Sequence, residues 1–273
     1  TLLILAREKL SIIKRNLNLL IKQVETDKVR LDRGQITTAD LYQSESSLAG
    51  ARAQLTQSKS ELMINKLNYE NIIGKLSDPN KLKKSSESIV SLPNSLSKAI
   101  EISKKNNPDI KIAKLELNQS EKDLSISEAD LNPTASVSLE RSYTNDLNAT
   151  YDEKEKDILK ATISWPFYSG GKKRSKINKN SNLTYRKRFL LESAIKNSNT
   201  TVGSAWSNLQ SSKSFLNSVT LQVEAAKIAN EGITAEYQRG SRTTLDVIQS
   251  NSLLLTAEIS LANSQRNYLI ALI

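Results

Sequence analysis

The chain contains no cysteine and no histidine. Without thiols there is no disulfide framework and no thiolate nucleophile. Without either residue, a zinc or transition-metal site lacks its usual ligands, and the commonest general base is missing. No cofactor, metal or catalysis is expected. The acids that do cluster, Asp152, Glu153 and Glu155, fall in a polar stretch that reads as solvated. Aromatic residues make up 5% of the chain, too few for a platform on which bases stack. The formal net charge of +10 permits contact with nucleic acid or anionic lipid. The lysines are scattered, however, and nucleic acid is not an expected partner. No apolar run approaches the roughly 20 residues that a membrane-spanning helix needs. Eight glycines and five prolines among 273 residues leave room for long helices. No signal peptide opens the chain. Thr1–Leu5 leads straight into a heptad pattern, so residue 1 reads as the interior of a helix in a longer protein.

What is present is a repeat. Arg33–Leu48, RGQITTADLYQSESSL, returns as Arg239–Leu254, RGSRTTLDVIQSNSLL, with nine of sixteen positions identical and an offset of 240 − 34 = 206 residues. So long a period indicates a duplicated large unit and not a solenoid. Each copy has the chemistry of a tight helix-to-helix turn. Gly34 and Gly240 stand where a helix end favours a left-handed residue. Thr37-Thr38 and Thr243-Thr244 are placed to cap the next helix, with Asp40 and Asp246 in its first turn. An ordinary hairpin tip explains these residues. It does not explain Arg242, or the identities Gln43/Gln249 and Ser44/Ser250.

Leu3, Ala6, Leu10, Ile13, Leu17, Leu20 and Val24 alternate spacings of three and four. Leu31 resumes the pattern after a polar break at Asp27-Lys28. This is a seam of period near 3.5, which supercoils with a neighbour. After the first tip, Leu41, Leu48, Leu55, Leu62 and Tyr69 recur every seven residues, with Ala51 and Ser58 between them. Leu254, Ala257, Leu261, Ser264, Tyr268 and Ala271 match them in the second copy. The pattern lapses over Gly74–Pro93, an irregular connection. Asn94 or Ser95 caps a short helix through Lys105. Asn107-Pro108 starts another, over Asp109–Asp130.

The period then changes to two. Ala135, Val137 and Leu139 alternate with Ser136, Ser138 and Glu140. After a polar loop over Thr144–Asp157, Leu159, Ala161, Ile163 and Trp165 alternate with Lys160, Thr162 and Ser164. These are two strands of about ten residues, apolar on one face. The alternation fits either a surface hairpin covered by helices or a lipid-facing hairpin, for which about 9–11 residues is the right length. Trp165 and Tyr168 fit an interfacial aromatic girdle. PFYSGG (Pro166–Gly171) ends the strand. A helix follows from the basic cluster Lys172-Lys173-Arg174 to Arg239, on the order of 100 Å if continuous.

This layout resembles the TolC family of outer-membrane efflux and secretion ducts. The resemblance is carried by YQRGSRTTLDV (Tyr237–Val247), RGQITTAD (Arg33–Asp40), NPDIKIAKLEL (Asn107–Leu117), LNPTASVSLERSY (Leu131–Tyr143) and WPFYSGG (Trp165–Gly171). It implies a mainly α fold with a β-hairpin. Long antiparallel coiled-coil helices would form an α-barrel, and the strands would join a trimeric 12-stranded β-barrel in the outer membrane of a Gram-negative bacterium. Two strands cannot close a barrel, and lipid does not tolerate unpaired edges, so several chains must share one. The divisions expected are residues 1–76 (first helical hairpin), 77–131 (connecting segment with short helices), 132–168 (β-hairpin) and 169–273 (second helical hairpin). By the repeat, a further hairpin is expected upstream, near 134 − 206 = −72. The last helix stops short of 74 + 206 = 280, the position matching Gly74.

The resemblance further implies a passive exit duct of a tripartite efflux or type I secretion system. Its partners would be a periplasmic membrane-fusion adaptor and an inner-membrane transporter. The alternative is a soluble coiled-coil scaffold with no transport role. For a duct, Arg33, Gly34, Gln35 and Ile36, with Arg239, Gly240 and Ser241, are expected to form adaptor-docking tips. The family's matching Tyr and Arg hold the mouth closed. Carried over, Arg242 would bond Thr38 and Asp40, and Tyr237 would bond Asp40. Asp246 would form a ring of carboxylates favouring cations. Gln249 replaces the second Asp often found one turn on, which implies weaker cation preference. Val137, Leu139, Ala161, Ile163 and Trp165 are expected to face lipid.

Overall fold

Glycine stops, threonine starts and the two apolar periods set the element boundaries. The computed structural model describes residues 1–76, 82, 92–148 and 151–272. Among these the order is α1 (Leu2–Asp32), α2 (Thr38–Ile73), α3 (Leu96–Asn106), α4 (Pro108–Ala129), β1 (Thr134–Asn148), β2 (Tyr151–Ser164), α5 (Lys172–Gln238) and α6 (Thr244–Ala271). Most of the irregular connection over Gly74–Pro93 lies outside the described residues. The chain divides into two units. One comprises Thr1–Pro93 with Ser204–Ile273, and the other Asn94–Gly203.

In the first unit, α1 is shared between two partners. Its heptad seam meets α2 in a cluster of Leu20, Val24, Leu48 and Ala51, flanked by Leu17, Ile21 and Leu41. A second face, Leu5 and Ile12, meets Ala262, Leu255 and Ile259 on α6. A helix buried on two sides needs more apolar positions than one seam supplies, and α1 accordingly buries Leu5 and Ile12 besides Leu3, Ala6, Leu10 and Ile13. The small seam residues Ala51, Ser58, Ala257 and Ser264 are all buried, as alternation of large and small side chains at a close helix contact requires.

The second unit holds α3, α4, the β-hairpin and the first part of α5. Ser95 caps α3 by accepting from Lys98 N. Asn107 caps α4, with Pro108 at its first position. Hydroxyls and amides link these helices to α5. Ser103 and Asn107 reach Ser198 at 2.7 and 3.1 Å, and Thr184 donates to Ser120 O at 3.1 Å. Lys187 pairs with Glu116 and Lys176 with Asp130.

Strands β1 and β2 pair antiparallel from Thr134↔Ser164 through Asn145↔Glu153, with an irregularity before Asn148↔Tyr151. They run to 15 and 14 residues. The stretch over Thr144–Asp157, expected as a polar loop, is mostly strand; residues 149–150 lie outside the described residues. Asp152, Glu153 and Glu155 are therefore on β2. The apolar alternation stops at Leu159, but the ladder continues through alternating charges, which satisfy a pleated backbone equally well.

Candidate functional site

The two helical tips are built alike. In the first, Gly34 has φ 71°. Its N–H donates to Leu31 O at 2.8 Å and Gln35 N–H to Arg30 O at 2.9 Å. In the second, Gly240 has φ 84°, with Gly240 N–H to Tyr237 O at 2.9 Å and Ser241 N–H to Glu236 O at 3.0 Å. This paired bonding of the two residues past the helix end satisfies carbonyls that would otherwise be orphaned, and it needs a left-handed residue at the glycine. Each outgoing helix begins with a reciprocal cap. Thr37 accepts from Asp40 N–H while the Asp40 carboxylate takes Thr37 N–H at 2.9 Å and its hydroxyl at 2.7 Å. Thr243 and Asp246 repeat the arrangement. These bonds hold the Asp40 carboxyl below the usual carboxylate range, chiefly through the Thr37 hydroxyl. Thr243 does the same for Asp246, its backbone N–H first. Both bonds to each carboxylate fall on Oδ2, which leaves Oδ1 at the tip for another partner.

The tips differ in what they touch. Tyr237, Thr244 and Val247 are each 1% exposed, so the second tip packs into the unit. Tyr237 donates its hydroxyl to Asp27 Oδ1 at 2.5 Å and contacts Thr244 Oγ1 at 3.3 Å. Asp27, in the last turns of α1, is completely buried. Its carboxyl also accepts from Gln23 at 2.8 Å and from the Ser44 hydroxyl on α2. Three donors from α1, α2 and α5 thus converge on one acceptor group. Arg30, one turn further along α1, donates to Tyr237 O at 2.6 Å and lies 4.2 Å from the centre of the Tyr237 ring. Its guanidinium therefore covers the ring face and bonds the end of α5 at once.

Among the residues singled out from sequence, Arg242 pairs with Glu236 of its own tip at 2.7 Å. Within this chain it is not brought to Thr38 or Asp40. Tyr237 gives its hydroxyl to Asp27 and not to Asp40. Thr38, Arg33, Gly34, Gln35, Arg239, Gly240, Ser241 and Gln249 are exposed, and Ile36 is half-buried. Ser44 and Ser250 are both buried and answer to polar partners. Ser44 meets Asp27, while Ser250 accepts from Asn230 at 2.7 Å, the same amide that reaches Asn251. The repeat's shared serine is thus a seam hydroxyl in each hairpin.

Asp27 and Arg30 were missed from sequence, although a signal was there. Val24, Asp27 and Leu31 continue the spacing of three and four, so the polar break sits on a core-facing heptad position. A charged residue there demands a buried partner.

Burial is the first cause of a raised Tyr237 pKa, and the Asp27 hydrogen bond adds to it. The fold therefore favours the neutral phenol. That stabilisation is complete below the ordinary tyrosine value of about 10 and is lost as pH rises through the higher folded value. Denaturation midpoints of the natural protein and Tyr237→Phe should differ by a constant amount at neutral pH and converge above about pH 10.

Long helical hairpins with glycine-capped tips and a β-hairpin with an apolar face define a class, the channel proteins of the bacterial outer membrane. The model of the outer membrane efflux protein family matches residues 99–273, and the chain belongs to that family. It is an outer-membrane protein that extends into the periplasm. The chain is 25% identical over 259 residues to the outer membrane efflux protein BepC of Brucella suis biovar 1 (strain 1330), covering 94% of this chain and 56% of BepC. The solved structures that share its fold include two matched over 99% of this chain. One is CusC, with a TM-score of 0.81 and 19% identity over 99% of this chain and 64% of that one. The other is the outer membrane protein VceC of Vibrio cholerae, with a TM-score of 0.76 and 18% identity over 99% of this chain and 65% of that one. The chain thus spans a little over half the length of BepC.

Proposed function

We propose that this chain builds a passive exit duct, three copies sharing one 12-stranded barrel and one helical tunnel. The observation that carries the reading is the β-hairpin. Its apolar face, with Val137, Leu139, Leu159 and Ile163, is at least 74% exposed in the single chain. An apolar face of that length, on strands with alternating polar residues behind it, is suited to lipid. Ser136, Ser138, Thr162 and Ser164 then face the lumen. Trp165 and Tyr168 lie at the end of the strand, where aromatic side chains anchor at the membrane interface.

The tips at Gly34 and Gly240 are the periplasmic mouth and meet a membrane-fusion adaptor. Energy comes from an inner-membrane transporter. In the closed trimer Arg242 exchanges Glu236 for Thr38 and the free Oδ1 of Asp40 on an adjacent hairpin. The tie from Tyr237 to Asp27 holds the second hairpin against the first. Asp246, kept ionised by its cap, forms the cation-favouring ring, with Gln249 one turn behind.

The test is planar-bilayer recording on the intact protein. Arg242→Ser should raise single-channel conductance, and Asp246→Asn should lower cation preference. Conductance unchanged by Arg242→Ser, alone and combined with Tyr237→Phe, would remove the latch. A protein that stays monodisperse without detergent and forms no channels would favour the scaffold instead.

A further inference from the structure

From Glu153 to Lys160, strand β2 sorts its charges by sign. Residues 153–160 read EKEKDILK, and alternate residues of a strand point to opposite faces. Glu153, Glu155 and Asp157 share the face of Leu159, Ala161 and Ile163. Lys154, Lys156 and Lys160 share the face of Thr162 and Ser164. Across the ladder these lysines oppose Thr144, Ser142 and Ser138. The two faces are also compensated differently. On the acidic face, Arg141 opposes Asp157 and pairs with Glu155 and Asp157. On the other face, among residues 134–145 and 153–164, the one acid is Glu140, which opposes Ile158. Lys154, Lys156 and Lys160 are exposed, and among the described residues none of them forms an ion pair.

We propose that this lysine column lines the outer half of the duct and makes it a filter that admits small anionic solutes in preference to cations. The inference rests on the proposed lipid-facing side of the hairpin, because the lysines follow onto the lumen from it. The column lies toward the β1–β2 turn, the end of the hairpin away from its connections to α4 and α5. Lys154 and Lys156 therefore lie beyond the apolar band, and Lys160, opposite Ser138, lies level with its outer end. Lys154 and Lys156, two residues apart, are about 7 Å from one another along the strand, and Lys160 lies about 13 Å beyond Lys156. The shorter spacing is within the Debye length of about 10 Å at 0.1 M salt, so the fields of Lys154 and Lys156 overlap, whereas at 1 M the length falls to about 3 Å. Three copies place nine lysines around one lumen. The duct then carries two filters in series, carboxylates of Asp246 at the periplasmic mouth and ammonium groups at the outer one. A solute passing both is screened on net charge twice, with opposite preference.

The test is the reversal potential of the intact protein across a potassium chloride gradient near 0.1 M, in an Asp246→Asn background so that the inner ring does not mask the outer. The triple substitution Lys154→Gln, Lys156→Gln, Lys160→Gln should shift the chloride-to-potassium permeability ratio toward potassium by about two- to fivefold. The corresponding triple arginine variant should leave the ratio in place, and the shift should vanish near 1 M salt. A ratio unmoved by the glutamine triple in channels that still conduct would overturn the inference. Loss of any shift between the arginine and glutamine variants would do the same. If the unsubstituted protein forms no channels at all, the duct reading fails instead.

Discussion

Asp27→Ala should lower the stability of the assembled protein by about 3–5 kcal/mol, since each buried donor left without an acceptor costs about 1–3 kcal/mol and water entering the site recovers part of it. Three donors lose their acceptor at once: Gln23, Ser44 and the Tyr237 hydroxyl. Tyr237→Phe is the milder change. It deletes one donor and leaves Asp27 with two, so its expected cost is that of one hydrogen bond to a carboxyl group, about 1.5–3 kcal/mol. The double variant should be no less stable than Asp27→Ala alone, because the phenol no longer needs the missing carboxyl. The cycle should therefore show a coupling at least as large as the Tyr237→Phe cost, about 1.5–3 kcal/mol, as groups in direct contact do. Chemical denaturation midpoints of the four proteins measure it. Strict additivity would mean that the hydroxyl and the carboxyl do not interact in solution, leaving Arg30 as the polar tie between α1 and the end of α5.

Much of this arrangement was legible in the sequence because it is local. The turn chemistry of Gly34 and Gly240, the caps at Thr37 and Thr243 and the stop at Pro166–Gly171 depend on residues within a few positions of one another. The heptads of α1 and α2 follow from a period. The network around Asp27 is of a different kind. It joins residues 210 positions apart, and no single-sequence pattern pairs Asp27 with Tyr237. What the sequence did offer was the place of Asp27 on the seam, and there the polar side chain is a demand for a partner and not an interruption of the helix. The strands are a second case. Hydrophobic alternation marks a strand only where one face is apolar, so it ends the strand at Leu159. The structure carries the strand on through Lys156 and Lys154 to Tyr151, where the alternation is one of charge sign. Both faces are polar there, and hydropathy alone does not distinguish that from a loop.

Leu139→Arg should abolish assembly, while Ser138→Arg, its immediate neighbour, should be tolerated. The two residues are adjacent on β1 and point to opposite faces. Leu139 is 76% exposed in the single chain and opposes Leu159 across the ladder, so a charge there is set into the apolar face, at its end toward Arg141. A lipid-facing arginine costs about 2–4 kcal/mol at the midplane and less toward the interfaces, and Leu139 stands at the outer end of the apolar band. In the proposed trimeric barrel the cost is incurred once per copy, and three copies bring it toward the scale of a small domain's whole stability. Ser138 opposes Lys160, so arginine there adds a like charge across the strand pair, a penalty of about 0.2–1 kcal/mol that lumenal water softens. Recovery of trimer from the outer-membrane fraction separates the two variants. If Ser138→Arg is lost and Leu139→Arg assembles, the hairpin faces the other way. The lysine column would then lie on the lipid side, and the acids Glu153, Glu155 and Asp157 would line the lumen. The same pair of variants therefore fixes the sign of the outer mouth before any current is recorded.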